Sequence, residues 1–155
     1  MDKVTVFDVA KYFLARVEVD LGSVITHLKL QKLCYYSQAW HLVFTDGEKM
    51  FDQKFEAWAH GPVCPELWTF YREYSWQAIP SSKDFNYDKF DKKRLETLEE
   101  VWNTYSEYDA KYLERLTHQE DPWIEARGTC LPGEACSTEI KPESMKEYYS
   151  KFLDA

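Results

Sequence analysis

The chain has 155 residues, 45% of them hydrophobic, 17% aromatic and 30% charged, a size near the mode for one folding domain. Its apolar runs are a few residues long, far below the ~20 that span a bilayer, and no basic segment leads into an apolar one at the start, so a soluble, cytoplasmic protein without a membrane role is expected. The net charge of −8, of which residues 1–80 contribute −2 and residues 81–155 contribute −6, repels nucleic acid and favours a basic partner.

In chain order, Val6, Val9, Ala10, Phe13, Leu14 and Val17 repeat at helical spacing and predict a first helix over Val6–Val17, with Thr5 and Asp8 as a capping box. Thr26 can cap a second helix reaching Phe44. Its apolar residues fall on two faces, which marks a central, buried helix. Asp46-Gly47 should end it. Between residues 51 and 63 the helical period is lost. Phe55, Ala57 and Ala59 alternate with Glu56, Trp58 and His60, as in a short extended segment that stops at Gly61-Pro62.

Pro65 suits the first turn of a third helix with Leu67, Phe70, Tyr71 and Tyr74 on its inner face. Fourth and fifth helices are expected from Asp91 and Asp109, and a short sixth is expected from Asp121-Pro122, with aspartate as cap. Residues 128–140 lack periodicity and read as a surface loop. A last helix from Pro142 should bury Met145, Tyr149 and Phe152. The expected fold is therefore mainly α, a single domain over residues 1–155 of six to seven helices with a short extended segment around residues 51–63.

Catalytic and metal chemistry find little support. His27, His41, His60 and His118 fall into no His-Glu-x-x-His arrangement, and Cys34, Cys64, Cys130 and Cys136 form no Cys-x-x-Cys pair. The cysteines are expected as reduced thiols, His41 as a core or boundary histidine and His27 at the surface. A Cys/His nucleophile such as Cys64 with His60, or Cys34 with His118, lacks a third orienting group. The five glycines are scattered at turns, so no phosphate loop exists. Glu99-Glu100 reads as a solvated face and Glu120-Asp121 as helix-end capping. No cofactor, metal or catalytic set is expected.

Three segments carry the distinctive residues: Val6–Leu14; Ile25-Thr26-His27-Leu28-Lys29-Leu30-Gln31-Lys32-Leu33 with Tyr35–His41; and Phe55-Glu56-Ala57-Trp58-Ala59-His60-Gly61-Pro62-Val63. With Leu116-Thr117-His118, Pro122-Trp123 and Met145–Tyr149 they resemble the Panacea domain family, in order, from Val6 to Tyr149. The resemblance implies an antitoxin-like or phage-associated protein that binds and neutralises a co-encoded toxin, either directly or by delivering it to a protease. The alternatives are another protein-binding role, or an enzyme or ligand-binding protein on the same fold.

The motif residues Trp58, His60, Gly61, Pro62, Val63, His118, Pro122 and Trp123 are expected to be structural or to meet the partner, with Trp58, His60, Gly61 and Pro62 at a strand-to-helix corner. His60 would tie down loop carbonyls, His118 would close its helix, and Trp123 would be an aromatic anchor against this corner or the central helix. The aromatics Tyr74, Trp76, Phe85, Tyr87 and Phe90 outnumber any helical face that could bury them and are expected at the partner interface, rimmed by carboxylates.

Overall fold

A computed structural model describes residues 3–17, 24–75, 77–80 and 85–153. Helix α1 spans Val6–Arg16 and opens on the expected capping box, in which the Thr5 hydroxyl accepts from the Asp8 N–H and the Asp8 carboxylate accepts from the Thr5 N–H at 2.8 Å. Helix α2, His27–Phe44, is capped by Thr26, whose hydroxyl accepts from the Lys29 N–H. It is buried almost all round, including the polar Gln31, Lys32, Ser37, Gln38 and His41. His27, expected outside, is 4% exposed and faces Trp68 at 6.2 Å. His41 is wholly buried, as expected, with Nδ1 2.8 Å from the Thr97 hydroxyl. Asp46 and Gly47 reverse the chain with φ of 57° and 116°.

The extended segment is a hairpin rather than one strand. Strand β1 (Phe55–Trp58) pairs antiparallel with β2 (Gly61–Val63), so Gly61-Pro62 does not stop the segment but begins its return. On the other edge β1 pairs with β3 (Glu139–Ile140), giving the order β2-β1-β3. The expected loop over residues 128–140 thus ends in a strand, too short to show an alternation of its own.

Helix α3, Pro65–Tyr71, buries Leu67 and Tyr71 and runs into a 3-10 turn over Arg72–Tyr74. Phe70, expected inside, is 59% exposed and meets Phe7 edge-on at 5.5 Å. Helices α4 (Lys92–Tyr105) and α5 (Ala110–Thr117) begin at their predicted aspartate caps, Asp91 and Asp109. Helix α6 (Asp121–Arg127) has Glu120, not Asp121, at the cap position, and Pro122 lies in its first turn. Helix α7 (Pro142–Ser150) buries Met145 and Tyr149, whereas Phe152 lies beyond its end and is exposed.

The described residues thus form seven helices and one small sheet, a mainly α fold. Helix α2 is its axis, packed by α1, α3, α4, α5, α7 and β2. One cluster of buried side chains runs from Val6 to Tyr149. No helix among the described residues is long and apolar enough to cross a membrane.

Candidate functional site

The β1–β2 hairpin turns through Ala59-His60, with Trp58 opposite Gly61. Gly61 has φ of +104°, a conformation that side chains disfavour, and a Cβ there would lie 2.8 Å from both Lys32 Cε and Thr117 Oγ1. The glycine therefore serves two needs, the reversal of the chain and the close approach of β2 to α2 and α5.

Helix α2 grips the hairpin through main-chain atoms. The Gln31 amide donates to Cys64 O at 3.2 Å and accepts from Cys64 N at 2.8 Å. Lys32 Nζ donates to Pro62 O at 3.2 Å. Seven residues along, the Gln38 amide donates to Phe51 O and accepts from Met50 N, both at 2.7 Å. Burying these groups is tolerable because each satisfies backbone that the short sheet leaves unpaired. Burial pushes the Lys32 ammonium down to about 8, against the opposing pull of the Glu114 carboxylate.

The corner is closed from the α5–α6 side. Trp123 Nε1 donates to Trp58 O at 2.8 Å, and the His118 ring stacks on the Trp123 ring at 4.0 Å and 14°. Arg127 also lies over the Trp123 ring, 5.3 Å from its centroid, and donates to Ala57 O at 3.2 Å. The structure thus brings Trp58, Gly61, Pro62, His118 and Trp123 together, with Val63 and Pro122 buried behind them. Of the two places open to Trp123, its contacts are with the corner. Two assigned roles change. His118 occupies the C-cap position of α5, where its backbone N–H bonds Glu114 O, but its ring packs on Trp123 and turns to the Ala59 backbone of the hairpin rather than to the end of its own helix. His60 bonds no loop carbonyl; its Nδ1 meets Glu114 Oε1 at 3.0 Å, with 69% of the side chain exposed.

Around this corner the accessible groups are mixed in character. Trp58 Nε1 donates to Glu56 Oε1 at 2.8 Å, and its ring meets Trp68 edge-on at 5.6 Å. A groove of about 490 Å³ runs past Glu56, Trp58 and His60 to Cys136 in the loop before β3. The two buried thiols, Cys34 and Cys64, are unlike nucleophiles, since burial pushes Cys34 well above its ordinary value and Cys64 up to about 11. No group of three or more His, Cys, Asp or Glu side chains suited to a metal occurs among the described residues.

The second predicted patch is largely absorbed by α1. Phe85, Tyr87 and Phe90 surround Tyr12 edge-on at 6.4, 5.8 and 6.2 Å. Phe90 is 5% exposed and belongs to the core, which removes it from any contact surface; Tyr87 remains 41% exposed. Tyr74 and Phe85 are partly buried against the same core. Trp76 lies outside the described residues. Sequence reasoning undercounted the burial because Tyr12 is a helical residue that receives aromatics from a distant 3-10 segment, Tyr87–Lys89, pinned to α1 by Lys89–Asp8 at 2.8 Å.

Glu120 holds the cap position of α6, but its side chain caps no N–H and is a buried acid. Its Oε1 accepts from Tyr36 Oη at 2.8 Å and from Tyr149 Oη at 2.7 Å, and Tyr149 also bonds Tyr35 at 3.1 Å. Burial raises the carboxyl from 4.5 to about 7 despite both phenols, and it drives the Tyr36 and Tyr149 hydroxyls well above their usual range. The acid locks the start of α6, and with it Trp123, onto α2 and α7.

None of the curated proteins and none of the solved structures compared matches this chain. The family described as "Antitoxin SocA-like, Panacea domain" matches residues 30–124, a stretch that holds most of α2, the hairpin, α3, α4, α5 and the start of α6. Since the match covers more than half of the sequence and contains the whole Trp58–Trp123 corner, the chain belongs to the SocA-like antitoxin, Panacea domain family.

Proposed function

We propose that this protein is an antitoxin without enzymatic activity, which holds a co-encoded toxin protein inactive in the cytoplasm, and that the toxin docks at the hairpin corner around Trp58 and His60. Membership of the antitoxin-like family carries the reading. The corner is favoured as the contact because His60 and Trp58 offer exposed or half-exposed aromatic surface on a rigid, glycine-dependent turn, while the Tyr12 cluster has drawn Phe90 inside. The acidic second half supplies the field that steers a basic partner.

The test begins with the protein encoded beside this one, as on a prophage. Expressed alone it should arrest growth, and co-expression with this chain should restore growth and yield a stable complex. His60→Ala should weaken that complex at least ~10-fold, about 1.4 kcal/mol, without lowering the melting temperature. Tyr87→Ala should leave it unchanged. The reverse pattern would move the interface to the Tyr12 cluster. Rescue that disappears in a protease-deficient host, with binding intact, would identify delivery to a protease; rescue that persists would identify direct neutralisation. A neighbour harmless to the cell would remove the antitoxin reading.

A further inference from the structure

The segment between α6 and β3 reads Cys130-Leu131-Pro132-Gly133-Glu134-Ala135-Cys136. Its tip is a turn closed by Glu134 N to Leu131 O at 2.9 Å, with Pro132 and Gly133 at the centre and Gly133 at φ +81°. Proline followed by a positive-φ glycine is the chemistry of a type II turn. The Glu134 carboxylate accepts from the Leu131 N–H at 2.7 Å and tightens the same reversal. The turn sets the two flanking arms side by side and brings the sulfurs of Cys130 and Cys136 to 2.6 Å. Bond formation at ~2.05 Å therefore requires only a small local movement.

Both ends of this loop are fixed to one residue of β1. Arg127 bridges Ala57 O at 3.2 Å and Leu131 O at 2.6 Å, and Ala57 N donates to Thr138 O at 2.9 Å. The loop between these anchors forms a wall of the groove beside Trp58 and His60, with Cys136 on that wall. From this geometry we propose that Cys130 and Cys136 are a reversible dithiol–disulfide site, oxidised by hydroperoxides, that locks the loop wall of the Trp58–His60 groove.

The neighbouring groups set the order of events. Hydrogen bonds from Cys130 and from Thr138, with the positive Arg127 beyond, bring the Cys136 thiol down to about 7, and Cys130 is raised by the same partnership. The Cys136 thiolate attacks one oxygen of hydrogen peroxide, the O–O bond breaks, and hydroxide leaves with a proton as water, giving a sulfenic acid. The Cys130 sulfur, losing its proton, then attacks the Cys136 sulfur; the S–S bond forms as the S–O bond breaks, and a second water leaves. Two thiols have lost two electrons and two protons, and one peroxide has become two waters. A dithiol reductant reverses the change by thiol–disulfide exchange. Cys34 and Cys64 are both buried and serve as internal controls.

The full chain is reduced, treated with hydrogen peroxide, then unfolded, alkylated and mapped by mass spectrometry. Expected is a loss of about 2 Da from one linked Cys130–Cys136 peptide, with Cys34 and Cys64 still alkylated and the change undone by dithiothreitol. Cys136→Ser should abolish the loss, and Cys130→Ser should halt Cys136 at a sulfenic acid that dimedone captures. Cleavage after the exposed Glu134 by a glutamyl endopeptidase should slow at least ~10-fold in the oxidised form and recover on reduction. A wild-type protein that keeps both thiols, passes to sulfinic acid without a bridge, or bridges equally in Cys136→Ser would overturn the site. Equal cleavage of both forms would overturn the locking of the wall.

Discussion

Replacing Glu120 by glutamine separates the charge of the buried acid from its shape. The amide oxygen can still accept from Tyr36 and Tyr149, which meet Glu120 Oε1 at 2.8 and 2.7 Å. In the folded protein the carboxyl is raised from 4.5 to about 7. With each tenfold change in proton affinity worth about 1.4 kcal/mol, the native state gains about 3 kcal/mol from the proton on Glu120. Because the folded value is the higher one, that stabilisation is fully present below pH 4.5 and is lost as pH rises to about 7. Glutamine has no proton to lose. Glu120→Gln should therefore be close to wild type at pH 4.5 and more stable than wild type by about 3 kcal/mol at pH 8, the gain growing between those limits. His41, held down to about 4 by burial, titrates in the opposite sense, but it is common to both proteins and cancels in the difference. Urea denaturation of the two proteins across this range makes the comparison. A stability difference independent of pH would mean that the two phenols balance burial, and a glutamine variant that loses ground toward pH 8 would mean that they outweigh it and hold the carboxyl ionised.

Three other perturbations test the packing. Leu33→Ala, at a wholly buried position on α2, should cost ~2–5 kcal/mol in chemical denaturation, and a loss well under 1 kcal/mol would remove this face of α2 from the core. Gly61→Ala combines φ +104° with contacts of 2.8 Å to Lys32 and Thr117; roughly 1–3 kcal/mol of backbone strain alone should show as a lower denaturation midpoint. Trp123→Phe keeps an aromatic ring against His118 and Arg127 but deletes the 2.8 Å bond to Trp58 O, so a loss of ~1–3 kcal/mol is expected, against almost none if solvent can replace the indole N–H.

The helical frame was legible because it is written in local chemistry. Thr5, Asp91 and Asp109 satisfy the N–H groups of the next few residues, and that information lies within one turn of chain. The hairpin was half legible: alternation marked β1, but β2 holds three residues, all buried, and has no period to read. Glu120 was misassigned because an acid at a helix start has a sufficient local explanation, and its phenol partners are 84 and 29 residues away. His27 was placed outside for the same reason, its cover coming from Trp68 on another helix. The corner residues stand out by resemblance; Gln31 and Lys32 share that resemblance but their grip on the backbone has no sign in sequence, and Glu114 and Arg127 show only as polar residues near a helix end.

The clasp between α2 and the hairpin has an evolutionary consequence. Gln31, Lys32 and Gln38 hold residues 50–64 by carbonyls and amide N–H groups, atoms that every residue type except proline supplies in full. The hairpin's position is thereby uncoupled from the outward side chains at Glu56 and His60, which are free to mutate at little cost to folding. A scaffold secured in this way can exchange one recognition surface for another by single substitutions, so related chains could retain the same helices while diverging in what they bind.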